Sequence, residues 1–263
     1  MGRVVAYLGP ATYIADAIEG GSYSLARQAT ACPDGFGIGW YPEPGGPPVR
    51  VRSRGPMSSE DHLLEVPRRY PSTCVIGHAR ALDGEPAELS GVQPLAAGPY
   101  LFVHEGKITG FESIFLRPLL ASLSDEAFAA LQGRSPAEVL FALWLDALEG
   151  EGPDAMANAL ESVVGRVQEI AAQADQPASF AWIITDGHCL IAVSTATHEP
   201  PAPLYTIVAE ERAPVPATGR IIATEPTYPG AWETIDAHAL MIFTVQEDAP
   251  AEEISATETP APV

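Results

Sequence analysis

Basic side chains are few in this chain: 14 Lys and Arg stand against 34 Asp and Glu among 263 residues, a formal charge of −20. Phosphate backbones and anionic bilayers reward Lys and Arg, so this balance argues against nucleic acid or membrane as a partner and leaves a basic protein surface compatible. Cysteine is rarer still. Cys32, Cys74 and Cys189 are unevenly spaced, with no Cys-x-x-Cys pair, which argues against a disulfide scaffold and fits core thiols in a reducing cytoplasm. No segment approaches the ~20 apolar residues that span a bilayer. The opening MGRVVA is too short an apolar run for a signal peptide, and Ala6 stands where a myristoylation motif wants Ser or Thr. The histidines, His62, His78, His104, His188, His198 and His238, lack metal-ligand spacing. The glycines between 35 and 39 lack the spacing of a phosphate-binding loop, and no internal repeat is visible. The expectation is a soluble cytoplasmic protein with neither metal nor cofactor.

What is present is a core. Hydrophobic residues make up 46% of the chain, enough for one sizeable domain, expected over 1–246. Apolar runs rich in β-branched and aromatic residues predict strands over 4–8, 35–41, 74–81 and 100–104, then over 180–185, 190–195, 204–208, 220–224 and 240–245. Asp186-Gly187 is the clearest hairpin turn. Between the two groups lies a helical block, predicted over 111–123 and 125–132. It continues from Ser135-Pro136-Ala137-Glu138, where Ser caps, Pro takes the first helical position and Glu closes a capping box. Leu140, Leu143, Trp144 and Ala147 recur at helical spacing, as do Ala159, Val163, Val167 and Ile170. Phe102, Phe111, Phe115, Phe128, Phe141 and Trp144 are expected in the core. Strands, helices, then strands predict an α+β sandwich with helices on the sheet faces. Residues 247–263, rich in Ala, Glu, Pro and Thr, are expected to form an acidic disordered tail.

Several segments, in order, carry a family resemblance: RVVAYLGP at 3–10, DGFGIGWY at 34–41, HAR at 78–80, LFVHEG at 101–106, the helices between 124 and 141, and ATEP at 223–226 before Trp232. Together they resemble the class II glutamine amidotransferases, most closely the small branch related to the ergothioneine-pathway γ-glutamyl hydrolases. The resemblance implies the four-layer αββα sandwich of the N-terminal nucleophile hydrolases. It also implies a cysteine exposed behind the initiator Met, whose thiolate attacks the substrate amide while its own α-amine moves the proton. That position is Gly2, which has no side chain to attack with.

Other expected parts differ too. The family's oxyanion hole uses an Asn amide and the following Gly N–H in a His-Asn-Gly turn, which reads His104-Glu105-Gly106 here. A carboxylate repels a developing oxyanion, and losing one such donor costs about a hundredfold or more in rate. The Arg that grips the substrate α-carboxylate survives as Arg80, suited to bidentate recognition. The Asp that holds the substrate amino group aligns with Pro136, the Thr two residues after the Arg is Leu82, and the Asn-His-Pro-Phe segment reads Val92-Gln93-Pro94-Leu95. A nucleophile knock-out made by engineering explains Gly2 alone; natural divergence explains Gly2, Glu105 and Pro136 together.

The resemblance therefore points to a catalytically inactive relative, a structural or regulatory subunit pairing with an active paralogue or another enzyme. Two alternatives stay open. A vestigial pocket with Arg80, Gly106 and His104 binds an amino-acid-like or γ-glutamyl carboxylate, or Glu105 serves as the base of an altered γ-glutamyl amide hydrolase. Arg80 is also expected to pair with Glu105, which needs a counter-charge. Asp34 and Glu225 read as capping or turn carboxylates.

Overall fold

The computed structural model describes residues 2–32, 34–59, 64–65, 67–81, 89–198 and 200–244. The expected 247–263 tail, His62 and Leu82 lie outside the described residues.

The first apolar run forms β1 (Arg3–Tyr13), which continues past its expected end because Gly9-Pro10 sits in a bulge. The pairing of β1 with β4 (Pro71–Ala79) shifts register between Leu8 and Thr12. A bulge is where a strand tolerates a residue that cannot donate to the ladder. Together with β2 (Phe36–Trp40), β3 (Val49–Ser53), β9 (Tyr205–Val208), β10 (Arg220–Ala223) and β11 (Glu233–Thr234), these make a seven-stranded sheet. Its order is β11-β9-β10-β1-β4-β2-β3. A second sheet has five strands in the order β12-β8-β7-β6-β5: β5 (Leu95–Ala97), β6 (Tyr100–Ile108), β7 (Ala178–Thr185), β8 (Cys189–Ala196) and β12 (Leu240–Thr244). The β7–β8 connection is the expected Asp186-Gly187 turn. Asp186 Oδ1 accepts from the backbone N–H of His188 and Cys189, and Gly187 has φ 90°.

The sheets stack face to face. Alternate residues of β1 (Val4, Ala6, Leu8) meet Leu101, Val103, Ile183 and Leu190 in a core between the sheets, while Val5 and Tyr7 turn outward. The outward face of the larger sheet is covered by helices Ile14–Glu19 and Leu25–Gln28, which bring Ile14, Ile18 and Leu25 onto it. Helices Pro136–Asp146 and Pro153–Ala174 cover the smaller sheet. Strands covered on both sides read as continuous apolar runs rather than as alternation, which is why they are visible in the sequence. The arrangement is the αββα sandwich.

Local sequence explains the helical layer. Ser135 Oγ accepts from Glu138 N–H at 3.3 Å and Ser135 N–H donates to the Glu138 carboxylate at 3.2 Å, the expected capping box. Phe141 lies parallel to Phe102 with ring centroids 5.1 Å apart, and the Trp144 indole N–H donates to Met156 O at 3.1 Å. Each fully buried ring of this kind contributes roughly 1.5–3 kcal/mol.

Several details differ from expectation. The segment 111–123 is one π-turn, Phe111–Phe115, running into the short helix Leu116–Leu120. Phe128, expected in the core, is 48% exposed. The helices Ile14–Glu19 and Leu25–Gln28 and the strands β5 and β11, all short, have no counterpart among the expected elements. All three cysteines are buried and free. Among the described residues, no helix is long and apolar enough to cross a membrane, and no cluster of His, Cys, Asp or Glu could hold a metal ion.

Candidate functional site

Position 2 lies just ahead of β1, at the end of the inter-sheet layer. Its strand is tied on one side by Val4 N–H donating to Thr224 Oγ1 at 3.0 Å, and on the other by pairing with β4, where Val4 faces His78. Strand alternation sends the side chain of His78 into the same layer. From the opposite sheet, Glu105 on β6 reaches in to meet both. Gly2 N–H donates to Glu105 Oε1 at 2.6 Å, and His78 Nε2 lies 3.1 Å from Glu105 Oε2. An ionised carboxylate only accepts hydrogen bonds, so Nε2 carries the proton.

Burial works against the charged form of Glu105. The hydrogen bonds from His78 and the Gly2 N–H outweigh it and hold this carboxyl below the usual carboxylate range. The pair is well enclosed, with side chains 1% (His78) and 12% (Glu105) exposed. His78 Nδ1 is buried and has no hydrogen-bond partner among the described residues.

The space next to Gly2 is already taken. A Cβ at this position would lie 2.5 Å from Glu105 Oε2, 2.6 Å from the Ala79 carbonyl oxygen and 3.0 Å from His78 Nε2. Any side chain here, a cysteine included, requires that carboxylate and the backbone of β4 to move. Beside the pair opens a cavity of about 550 Å3, walled by Arg3, Tyr23, Tyr205 and Glu225. Arg3 forms an ion pair with Glu225 at 2.6 Å.

The remaining candidate residues do not line this cavity. Arg80 stands beyond the end of β4, its backbone N–H donating to Gly35 O at 2.8 Å and its guanidinium Nη1 to Gly91 O at 3.0 Å. The expected Arg80–Glu105 ion pair is absent among the described residues: His78 and the Gly2 N–H occupy the two carboxylate oxygens instead. Burial lowers the Arg80 pKa, opposed by the charges of Glu105, Asp34 and Glu138. Around Gly91, Arg80 comes together with Ser135 and Glu138 of the capping box. Pro136 is the first residue of that helix, a place where a missing N–H costs nothing.

His104 is buried on the helix-facing side of β6, away from Glu105. Its Nδ1 accepts from the Trp182 indole N–H at 2.6 Å, and burial drives its pKa down to about 4, so it is a neutral core imidazole. Gln93 holds its backbone from the side, accepting from His104 N–H at 2.5 Å and donating to His104 O at 2.9 Å. Gly106 has φ 129°, and a Cβ there would strike Ser179 O and lie 2.6 Å from Phe180 Cα. Close approach to β7 is therefore sufficient to require glycine. Two residues that shape the site, His78 and Gln93, were not singled out as site residues in the sequence. The HAR motif was the available signal for His78, but its pairing with residue 105 depends on how two separate sheets stack.

The chain matches the family described as Glutamine amidotransferases class-II over residues 21–247, a span that leaves position 2 outside it. It is 30% identical over 136 residues to the Saccharomyces cerevisiae protein named Probable glutamine amidotransferase DUG3, covering 49% of this chain but only 37% of that relative. Among solved structures, a glutamine aminotransferase class-II domain protein from Silicibacter pomeroyi superposes with a TM-score of 0.69 at 21% identity, covering 92% of this chain and 95% of the other. The glutamine phosphoribosylpyrophosphate amidotransferase of B. subtilis, complexed with ADP and GMP, superposes with a TM-score of 0.59 at 14% identity, over 94% of this chain and 50% of that one. The structural likenesses carry the fold, and the family match over most of the chain carries membership: this chain belongs to the class-II glutamine amidotransferases.

Proposed function

We propose that this chain is a catalytically inactive member of its family, acting in the cytoplasm as a structural or regulatory subunit beside an active paralogue or another enzyme. The observation that carries the reading is the Glu105 carboxylate, which fills the space a side chain at position 2 needs and is fixed there by Gly2 and His78. Covalent amide hydrolysis needs a nucleophile and a donor for the oxyanion. Gly2 supplies no nucleophile, and an anionic carboxylate stands where the resemblance expects the amide donor. Glu105 is also a poor base, because both oxygens are engaged and its pKa is held down. Purified protein given glutamine or γ-glutamyl peptides is expected to release neither ammonia nor glutamate. Turnover at a rate usual for enzymes, on the order of 1 per second or more, would sink the reading.

A second reading has one observation in its favour: the partly buried Arg80 guanidinium pairs with no carboxylate of Glu105 or Glu138, its hydrogen bond going to Gly91 O. In that reading it captures an amino-acid-like carboxylate. A ligand at 100 times its dissociation constant adds about 2.7 kcal/mol of stability, so thermal shift with glutamate and γ-glutamyl compounds decides it. No shift counts against it.

A further inference from the structure

A second cavity, of about 490 Å3, lies at the opposite kind of place, between strand edges. It is bordered by β3 and β5, the terminal strands of the two sheets, and by the helices Asp125–Ala130 and Pro136–Asp146. It shares no lining residue with the Gly2 cavity.

Two arginines face it. Arg50 and Arg52 alternate with Val49 and Val51, so both side chains leave the same face of β3. Across the ladder they pair with Gly39 and Gly37, and the absence of side chains there leaves room for the arginine stems. A Cβ on Gly37 would lie 3.1 Å from Arg52 Cγ.

Backbone carbonyls anchor the guanidinium groups without neutralising them. Arg50 Nη1 donates to Pro94 O at 2.9 Å, while Arg52 Nη1 donates to Leu89 O at 3.1 Å and Val92 O at 3.0 Å. A guanidinium has five N–H donors, so most of each fork stays unused. Neither arginine forms an ion pair with a carboxylate among the described residues. Burial, and then the charge of Arg52, bring the Arg50 pKa down to about 10; burial lowers that of Arg52 as well, opposed by the charge of Glu138. Three carboxylates, Glu126, Glu138 and Asp146, line the same cavity, but Asp146 accepts from Ser124 and Glu138 from Ser135, and none of the three forms an ion pair with Arg50 or Arg52 among the described residues. Leu95, Ala97, Phe141, Ala142 and Leu145 give the cavity an apolar stretch of wall beside these polar groups.

We propose that this cleft binds a small organic anion, its carboxylate or phosphate head on Arg50 and Arg52 and its compact apolar body against Phe141 and Leu145. Paired guanidinium forks suit the planar carboxylate and the phosphate alike. The volume lies within the roughly 300–1,000 Å3 of small-molecule sites, and one apolar wall with a few convergent polar groups is their usual make-up. The site does not depend on whether the Gly2 end is active.

Calorimetric titration of the purified full chain with phenyl phosphate, benzoate and inorganic phosphate tests it. Saturable one-to-one binding of an aryl anion is expected, tighter than inorganic phosphate. Arg50→Gln should weaken it about tenfold or more, the effect of losing a charge-assisted hydrogen bond. Ala142→Leu, which fills the apolar wall and leaves both arginines in place, should weaken it comparably and keeps the test valid if Arg50→Gln fails to fold. The proposal is overturned if no saturable binding of either aryl anion occurs up to about 10 mM. It is also overturned if inorganic phosphate binds as tightly, or if Arg80→Gln abolishes binding while Arg50→Gln and Ala142→Leu leave it unchanged.

Discussion

His104 and Glu105 are neighbours on β6, yet they lie on opposite faces of the sheet and in opposite charge states. On the helix-facing side, His104 is wrapped by Phe180 and Trp182 and held neutral by burial. On the inter-sheet side, Glu105 is held as an anion by His78 and the Gly2 N–H. The Glu105 carboxylate and His104 Nδ1 both find their partners within the protein, whereas His78 Nδ1 on the inter-sheet face has none among the described residues. In the cleft between β3 and β5, the Arg50 and Arg52 guanidinium groups donate to backbone carbonyls only, among the described residues.

Breaking the inner face should cost most. His78→Ala takes one hydrogen-bond donor from a buried carboxylate and leaves a void beside it, a loss of about 3 kcal/mol in urea unfolding. If the cost is under about 1 kcal/mol, the pair is no more than a surface contact.

The outer face should appear as a pH slope. The folded pKa of His104, about 4, lies below its ordinary 6.5. The unfolded chain therefore binds the extra proton first, and stability falls as pH drops from about 6.5 to about 4, by roughly 2–3 kcal/mol. His104→Gln, which can still accept from Trp182, should flatten that slope.

Glu105 acts in the next window down. Its folded pKa is depressed, so its contribution is complete above the ordinary carboxylate range and is lost as pH falls through the folded value. Glu105→Gln should remove this acid-side loss at a cost of only about 1 kcal/mol at neutral pH, since the amide still accepts from Gly2. Denaturant midpoints across the pH range separate the two faces.

Much of this fold is legible in the chain. The long apolar runs of β1, β6, β7 and β8 announce strands buried on both sides, and Ser135 to Glu138 announces a helix start. The short edge strand Leu95–Ala97 is not legible, because it owes its structure to neighbours across the ladder. The site divides the same way. Gly2 and Glu105 stand out because residue types differ from the pattern the chain resembles, and they do meet. The His78 contact joins residues on different sheets and follows from stacking rather than from local pattern. His104 lies on the other face of β6 from Glu105, as strand alternation puts residues 104 and 105 on opposite faces.

The central claim is that the Gly2 end is dismantled in more than one place, with Glu105 occupying the space a nucleophile requires. Glutamate release from glutamine by the Gly2→Cys variant tests it most directly. No turnover above the wild-type background is predicted, because the restored thiol meets a fixed carboxylate and gains no oxyanion amide; turnover from this single change would contradict the account.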